Sequence, residues 1–467
     1  MTMTSTSSTQ ALADWSTSLA FEEIPAAVRR VAIRCLIDTL GVALAGAVTR
    51  SAASAQALVS ESAAPGAAIV MGTTLRLAAP GAAFANATAA HALDFDDNIY
   101  AGFVHGSAVI VPAALAVAQV QRASGAELLS AIVAGAECQF RVGMALGRPW
   151  YDRGWWTTGM LGGIGACVAS AKLLDLDVET TANALGLAIS ASAGMKCAFG
   201  SDAKALLVGR SAEAGVMAAM LAKRGASGPT EALRHRYGLA ALCNDARFDA
   251  EQLCALPGRW CLLDPGIDIK RIPVCLSAHA AVDALRALVA SYAIEPSEID
   301  RIVCDVPPVV MANLIYPRPV DGQQAQFSLP FAIATALLFD GPTLEHLNRR
   351  TVTQARVIEL MAMVEVVTGP RWRNSALLVD APEGAWVEVM LRNGARHTGF
   401  VAKAHGSADQ PLSDAALEEK FLDCAGRAME TAAARELVTR LWRLDTLSSL
   451  DDLSWGTPCH RSTHQHV

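Results

Sequence analysis

Residues 26–46 read AAVRRVAIRCLIDTLGVALAG, and this stretch predicts the character of the whole fold. Pro25 directly precedes it, which suits the start of a helix because no backbone N–H is needed there. Apolar side chains recur close to helical spacing, at Val28, Val31, Cys35 and Val42. Small residues occur on the other faces as well, so we expect a buried helix in close contact with its neighbours.

The rest of the first half of the chain is also rich in alanine and shows the same helical spacing of apolar residues. Periodic apolar positions predict further helices over residues 51–62, 82–93, 107–123, 126–145, 161–174, 179–191, 204–223 and 230–242. Many of these segments carry small residues on several faces. Together they predict a dense helical domain.

The pattern changes near Cys261, where strands join the helices. Alternating apolar and polar residues predict strands over residues 298–308, 363–367, 385–392 and 396–401. Asn393-Gly394 lies between the last two and predicts a tight hairpin. Helices are predicted over residues 277–291, 326–339 and 355–361. Because the helical pattern returns after Pro411, we expect the mixed segment to be an insertion into the helical domain.

The composition limits the classes of protein to which the chain can belong. The chain has 467 residues, of which 52% are hydrophobic and 18% charged. This length and composition predict two or three folded domains and argue against a disordered protein. The formal net charge of −7 argues against a surface for nucleic acid or anionic membrane. The longest clean apolar run, residues 108–118, is interrupted by Pro112 and falls short of the roughly 20 residues that span a bilayer. We therefore expect neither nucleic acid nor membrane as a partner.

The N-terminal residues and the cysteines predict the compartment. MTMTSTSSTQ has neither the basic nor the apolar region of a signal peptide. The 11 cysteines are scattered and form no Cys-x-x-Cys pair. We expect a reduced, cytoplasmic protein whose cysteines behave as small buried apolar residues.

The first candidate functional segment is the acidic stretch HALDFDDNIY (91–100), which is followed by His105-Gly106-Ser107. A polar loop between two apolar helices is enclosed by them, so Asp94 and His105 are candidates for acid–base catalysis. Aspartates that cap a solvated helix end would give the same pattern. A Mg²⁺ or Zn²⁺ site is a further alternative, although no spacing typical of a metal site is present. We expect no metal.

Two further segments carry cations near predicted helix starts. Lys204 follows a Gly-Ser-Asp turn at the start of an alanine-rich helix, where it can bind a carboxylate with help from the helix N-terminus. A surface lysine is the alternative. Lys270 and Arg271 precede another predicted helix, and His279 lies in its first turn. This segment is a candidate carboxylate-binding corner, although a lone histidine in a helix is more often structural.

Taken together, these segments resemble the MmgE/PrpD family over nearly the whole chain. The resemblance is carried by RRVAIRCLIDTLGVALAG (29–46), HALDFDD (91–97), GWWTTGMLGGIGACVASAKLL (154–174), FGSDAK (199–204), IKRIPVCLSAH (269–279), AQFSLPFAIA (325–334) and PLSDAALEEKF (411–421). The acidic motif and the Phe-Gly-x-x-x-Lys turn are specific, whereas the alanine-rich helices are not.

The resemblance implies a mainly α fold: a large all-helical domain built from both ends of the chain, with a smaller α+β lid domain inserted. We place the first part of the helical domain at residues 1–268, the lid at 269–408 and the return at 409–467. Family members are typically homodimers that hold di- or polycarboxylates between domain and lid, and they generally need no metal or organic cofactor. We expect the same of this chain.

The family's site residues fall by motif on Asp94, His105, Lys204, Lys270 and His279. We expect the catalytic groups to be Asp94, His105, Lys204 and His279, with Tyr100 as a further proton donor. We expect the substrate-binding groups to be Lys270, Arg271, Asn98, Ser107 and Trp156.

The chain also departs from the family pattern. Where the family usually has Gly-Trp-His-Pro-Thr, residues 154–158 read Gly-Trp-Trp-Thr-Thr, so Trp156 replaces a histidine. Asn98 stands where the decarboxylases carry threonine, and Gln326 replaces the cation of an Ala-Lys-Phe-Ser motif. An apolar wall in place of a polar group disfavours the expulsion of hydroxide.

The family's reactions include dehydration of 2-methylcitrate, decarboxylation of cis-aconitate and epimerisation of iminodisuccinate. We expect the last: a cofactor-independent epimerase of an aminodicarboxylate that removes a proton next to a carboxylate and returns one from the opposite face. A dehydratase or decarboxylase of a methylcitrate- or aconitate-like acid is the alternative. A catalytically inactive carboxylate-binding homologue is the second alternative.

Overall fold

The computed structural model describes residues 7–254 and 258–453, and it begins with a helical body. The helices of its first part are α1 (Ser8–Ser18), α2 (Ala26–Gly46), α3 (Arg50–Ser62), α4 (Ala79–His91), α5 (Ser107–Gln121), α6 (Gly125–Leu146), α7 (Pro149–Asp152), α8 (Thr157–Leu173), α9 (Val178–Ser190), α10 (Asp202–Ala222), α11 (Leu239–Asn244) and α12 (Glu251–Cys254). A short antiparallel ribbon, β1 (Pro65–Ile69) with β2 (Arg76–Leu77), lies between α3 and α4.

A mixed α+β lid follows. Its helices are α13 (His279–Tyr292), α14 (Pro308–Asn313), α15 (Gly322–Ala325), α16 (Leu329–Phe339), α17 (Arg349–Val352), α18 (Ala355–Ala362) and α19 (Ser375–Asp380). Its strands are β3 (Ile299–Asp305), β4 (Val364–Val367), β5 (Ala385–Leu391) and β6 (Arg396–Val401). They form one sheet in the order β4-β3-β5-β6, in which only the β3–β4 pair is parallel. The chain then returns to the body through α20 (Asp414–Ala425) and α21 (Thr431–Leu441).

The hydrophobic cores follow this division. The larger core combines residues between Leu12 and Ile269 with residues between Leu412 and Leu453, and it includes Phe327 of the lid. The second core lies mainly between α13, α16 and the lid sheet, and Tyr151 of the body packs into it. The fold is thus mainly α with a smaller α+β part, as expected. The residue numbers given above for the domain boundaries stay a prediction.

Helix α2 has the bounds expected from its sequence, and it contacts both neighbouring parts of the body. Its buried face packs against α4 on one side and α20 on the other. A side chain at Gly46 would collide with the carbonyl of Ala89, and one at Gly41 would press on Phe421. The glycines therefore permit the close approach of these helices, and α20, which follows the lid, packs against α2 of the body.

The structure corrects two expectations about the body. The ribbon of β1 and β2 means that the body is not purely helical. The helix expected over residues 230–242 is also wrong: the segment turns, and only α11 is helical there. The N–H of Leu239 donates to the carbonyl of Ala232, seven residues back, and that of Gly238 donates to His235. The chain thus folds back on itself before α11 begins.

Within residues 7–254 and 258–453, two helices are long and apolar enough to cross a membrane by length and composition, namely α6 and α10, and α2 with α3 would be a third if that bent pair formed one span. The expectation that no segment reaches this length therefore holds for uninterrupted apolar runs but not for whole helices. The apolar part of α6 is almost entirely buried inside the body, and that of α10 is about half buried. Neither fact tests the expectation that the protein has no membrane partner.

Lys420 of α20 ties the body to the start of the lid. Its Nζ lies 2.6 Å from Oδ1 of Asp38 on α2, and both side chains are buried. The same ammonium group donates to the carbonyl of Phe95 at 2.8 Å and to that of Lys270 at 2.8 Å. Burial raises the pKa of Asp38, whereas the Lys420 ammonium lowers it. One cation thus joins α2, the acidic loop and the segment that enters the lid.

We expect Lys420→Met to lower the free energy of unfolding by about 3 kcal/mol, because it leaves the Asp38 carboxylate buried without its cation. Urea unfolding measures the loss. Adding Asp38→Asn to this variant should recover part of it. The control is Lys403→Met, since Lys403 is half-buried and its partner Asp409 is exposed to solvent. A loss no larger than that of the control would contradict the role assigned to Lys420.

Candidate functional site

The acidic loop between α4 and α5 is fixed by contacts from two sides. Asn98 pairs with Asp268 through both backbone groups, N–H to carbonyl at 2.9 Å each way. From the first turn of α8, the hydroxyl of Thr157 donates to the carbonyl of Phe103, and that of Thr158 accepts the N–H of His105 at 3.0 Å. The loop is therefore held by the body and by the segment that leads to the lid.

Asp94 lies at the centre of the site, between two lysines. Its Oδ1 is 2.5 Å from Nζ of Lys204, in the first turn of α10. Its Oδ2 is 2.8 Å from Nζ of Lys270, which also donates to the Asp94 carbonyl at 2.6 Å. Asp94 has a left-handed backbone, with φ of 48°, a conformation that aspartate tolerates better than most residues. This turn aims the carboxylate at both cations.

The pKa values of Asp94 and Lys270 are set by burial and by the opposite charges beside each group. Burial would raise the pKa of Asp94, but the ammonium groups of Lys204 and Lys270 outweigh it and hold the pKa below its usual value. Burial would lower the pKa of Lys270, but Asp94 and Asp96 raise it. Asp94 and Lys270 are therefore both charged at neutral pH.

A second row of groups lies behind Lys204. His91 Nε2 is 2.6 Å from Lys204 Nζ, and His91 Nδ1 is 2.8 Å from Oδ2 of Asp96. Burial, together with the Lys204 charge, lowers the pKa of His91 to about 4, although Asp96 acts in the opposite sense. The imidazole is therefore neutral at pH 7, with the proton assigned to Nδ1 by the carboxylate. Its Nε2 accepts a hydrogen bond from the lysine.

His105 contacts the same carboxylate from the other side. Its Nδ1 is 2.8 Å from the carbonyl of Asp97 and 3.3 Å from Oδ2 of Asp96. Both partners are acceptors, so Nδ1 carries a proton and Nε2 is the nitrogen that can exchange one with a substrate. The His105 side chain is 14% exposed, whereas that of His91 is fully buried. His105 is thus the imidazole of this pair that a small molecule can reach.

These groups open onto a narrow cavity between body and lid. Asp94, His105 and Lys204 line one part of it, together with the aromatic rings of Trp156, Phe199 and Phe327. Trp156 stacks on His91 with ring centroids 5.4 Å apart, and the Lys204 ammonium lies 5.2–5.3 Å from the three aromatic rings. The cavity has about 40 Å³, enough for a few water molecules only. A small organic acid needs more space than this, so the cavity must widen before a substrate can enter.

The lid closes the cavity with a polar network centred on Glu383, in the turn between α19 and β5. Tyr100 donates to Glu383 Oε2 at 2.9 Å, and Ser277 donates to Oε1. Asn313 donates to Ser277 at 3.1 Å and accepts from Tyr151 at 2.9 Å. Burial and the Glu383 charge raise the pKa of Tyr100 well above its usual value, so the phenol stays protonated. A second cavity of about 270 Å³ lies beyond Tyr100 and Glu383.

Sequence reasoning identified part of this site and missed the rest. The expected residues that line the cavity are Asp94, Asn98, Tyr100, His105, Trp156 and Lys204. Lys270 lies directly behind Asp94. Glu383, Asn313 and Tyr151 also line it, and the sequence pattern singled out none of them. Glu383 follows a proline in a turn of the lid, and only the folded chain brings it to the body.

Besides Lys270, three other expected site residues lie outside the cavity lining. His279 is buried and its Nε2 lies 3.2 Å from the carbonyl of Val274; burial and the Lys270 charge lower its pKa to about 3. Arg271 forms an ion pair with Asp283 of α13. Ser107 begins α5, and its hydroxyl lowers the pKa of the buried Asp97. Each has a structural contact that explains its position.

The alternative of a metal site concerns the two histidines and the carboxylate between them. One ligand atom from each of His91, Asp96 and His105 lies within 4.8 Å of the others, so this set is a possible metal-binding group. The same atoms are engaged in the hydrogen bonds described above, in which Asp96 accepts from both rings. The hydrogen bonds account for the cluster without an ion, and the expected absence of a metal stays a prediction.

Two family models match the chain. The model of the MmgE/PrpD N-terminal domain matches residues 10–251, and that of the MmgE/PrpD C-terminal domain matches residues 272–444. Relatives include the cis-aconitate decarboxylase of Homo sapiens, 28% identical over 81% of this chain and 79% of the relative. The cis-aconitate decarboxylase of Aspergillus terreus is 24% identical over 95% of this chain and 94% of the relative. The cis-aconitate decarboxylase-like protein oryM of Aspergillus oryzae is 24% identical over 95% and 96%.

Asp97, next to the site, predicts a pH dependence of stability. Burial, then the negative charge of Asp38, raises its pKa to about 7, against roughly 3.9 for an unfolded aspartate. The folded protein thus binds the extra proton, and this carboxyl group lowers stability as pH rises from about 4 through 7. The free energy of unfolding of Asp97→Asn, relative to that of wild type, should therefore be roughly 2 kcal/mol higher at pH 8.5 than at pH 5.5.

Chemical unfolding at the two pH values tests this expectation. The exposed Asp300→Asn is the control and should show the same difference from wild type at both. An Asp97→Asn difference that does not change with pH would contradict the buried, raised-pKa assignment.

Proposed function

Since the chain belongs to the MmgE/PrpD family, we propose that it is an enzyme that cleaves the bond between carbon and a carboxylate group in a small, aconitate-like carboxylic acid. The observation that carries the proposal is the Lys204–Asp94 ion pair beside His105 in a cavity between body and lid. The names of the relatives support decarboxylation as the reaction to test first.

Lys204 is the group suited to hold a substrate carboxylate. Its ammonium group lines the cavity, while Lys270 keeps the second oxygen of Asp94. A substrate carboxylate can therefore share the Lys204 ammonium without leaving Asp94 unpaired. The surrounding aromatic rings lower the local dielectric constant, which strengthens the contact.

The chemical step creates negative charge that this cation can stabilise. When the bond to the departing carboxylate breaks, its electron pair stays on carbon and spreads towards a second, conjugated carboxylate. The departing group leaves as CO₂, and a proton then adds to carbon, so that the acid plus one proton gives the product plus CO₂. A fixed cation beside the conjugated carboxylate is the kind of interaction that contributes most to such reactions.

His105 is the group suited to deliver that proton. Its Nδ1 is fixed by the Asp97 carbonyl and Asp96, which leaves Nε2 for proton exchange. Tyr100 is the second proton carrier of the lining, but its hydroxyl already donates to Glu383. We therefore assign the proton transfer to His105 and a positioning role to Tyr100.

The aromatic lining favours decarboxylation over dehydration. Trp156, Phe199 and Phe327 form an apolar wall around Lys204. CO₂ is neutral and apolar, whereas departing hydroxide needs a proton or water. Epimerisation of iminodisuccinate, our first expectation, gains no specific support from the relatives named above. It is therefore the second outcome of the same assay. The homodimer, the absence of a cofactor and the cytoplasmic location stay predictions.

The direct test follows the protein in D₂O by proton NMR with cis-aconitate, 2-methylcitrate and iminodisuccinate, and measures released CO₂. We expect CO₂ release together with one deuterium on carbon in the product. Deuterium uptake with loss of optical activity and no CO₂ would show an epimerase instead. Growth of an alkene signal from 2-methylcitrate would show a dehydratase. Binding without exchange would show an inactive homologue.

Lys204→Ala should lower kcat/KM by at least about 100-fold, because it removes the cation that stabilises the developing charge. Lys223→Ala is the matched control, since Lys223 is exposed at the opposite end of α10. Steady-state kinetics on whichever acid is turned over gives the comparison. Near-normal turnover by Lys204→Ala would remove this residue from the mechanism.

A further inference from the structure

The carboxylate of Glu383 is a feature of the cavity that the reaction proposed above does not use. It faces the site from the lid, and its oxygens accept hydrogen bonds from Tyr100, Ser277 and Asn313. A carboxylate has about four acceptor positions. Three neutral donors therefore orient Glu383 and leave it able to accept one more hydrogen bond.

No cation neutralises this carboxylate among the residues that the structure describes. Within that part of the chain, no lysine, arginine or histidine nitrogen lies within 4.0 Å of a Glu383 oxygen. The negative charge of Glu383 raises the pKa of Lys196, against the lowering by burial. The Lys196 ammonium group, however, lies over the ring of Tyr151, 3.8 Å from its centroid. Arg148 and Lys403 line the neighbouring cavity together with Glu383 but form no ion pair with it. Buried or half-buried carboxylates are normally paired, so the position beside Glu383 in the narrow cavity is open to a cation.

The charges of the lining show which ligand suits this arrangement. Lys204 is the cation of the lining, and Asp94 already accompanies it at 2.5 Å. Glu383 adds a second carboxylate on the lid side. A substrate with carboxylates at every position would place one of them against Glu383, where like charges repel each other. A positively charged donor would instead supply the missing partner.

We propose that Glu383, held by Tyr100 and Asn313, forms a subsite for a protonated amine of the substrate. The inference rests on the proposed function and names its substrate class: an amino-substituted carboxylic acid, with one carboxylate at Lys204 and its amine at Glu383. The preferred substrate then differs from cis-aconitate, whose three carboxylates leave Glu383 without a partner. Glu383 is a specificity-determining residue in this scheme, and the proton transfer stays with His105.

Three compounds that share one carbon chain test the subsite. Glutarate, 3-aminoglutarate and tricarballylate differ only in the group on the third carbon, which is hydrogen, ammonium or carboxylate. Isothermal titration calorimetry on the full chain gives the three dissociation constants. We expect 3-aminoglutarate to bind at least about tenfold more tightly than tricarballylate, as one charge-assisted hydrogen bond would allow.

Glu383→Gln removes the charge but keeps the size of the side chain. It should reduce the preference for 3-aminoglutarate over tricarballylate at least about tenfold, mainly by weakening the amine's binding. Glu383→Asp keeps the charge and should keep the order of affinities. Glu388→Gln, on β5 of the same lid, should leave all three constants unchanged. Circular dichroism and the melting temperature show whether each variant is folded.

The outcomes separate this inference from the proposed function. Binding with the same preference in Glu383→Gln as in wild type would overturn the amine subsite and leave the carboxylate site intact. Tightest binding of tricarballylate by wild type would do the same. If wild type bound none of the three compounds, both the subsite and the proposed carboxylate site would be refuted.

Discussion

The buried carboxylate of Asp94 between Lys204 and Lys270 is the interaction on which the site depends. Burial of three charges is unfavourable unless they neutralise one another. Here each oxygen of Asp94 has its own ammonium, at 2.5 Å from Lys204 and 2.8 Å from Lys270. Lys204 comes from the helical body and Lys270 from the segment that enters the lid. The ion pairs thus fix both the charge of the cavity and the position of the lid entry relative to the body.

Around Asp94 and its two lysines, some side chains orient their neighbours and others face the cavity. His91 and Asp96 lie behind Lys204 and are fully enclosed, so they orient the lysine and His105. Lys204 and His105 reach the cavity itself. The loop can be this polar in its interior because Lys420 supplies a further cation to Asp38 and to two backbone carbonyls. The positive charge needed by the site is therefore anchored through several elements.

The sequence was sufficient for much of the fold. Helix α2 and the β5–β6 hairpin were predicted because their periodicities are local properties, and the return of the chain followed from the helical pattern after Pro411. The helix expected over residues 230–242 failed because the Leu239-to-Ala232 hydrogen bond closes a turn that apolar spacing does not reveal.

The site was predicted where a motif carries it and missed where tertiary contacts create it. Asp94, His105 and Lys204 were identified because they stand in recognisable segments. His279 stood in such a segment too, but its imidazole lies near the carbonyl of Val274 and away from the cavity. No local sequence pattern identifies Glu383, because its place in the site depends on its hydrogen bond with Tyr100, more than 280 residues earlier.

The central claim is that Lys204, held by Asp94, receives a carboxylate in the cavity between body and lid. A crystal structure of the protein with a bound di- or tricarboxylate tests it most directly. The account predicts a ligand carboxylate within hydrogen-bonding distance of Lys204 Nζ, with Asp94 still bound by Lys270. A ligand seated elsewhere, with Lys204 untouched, would contradict it, and so would a metal ion held by His91, Asp96 and His105.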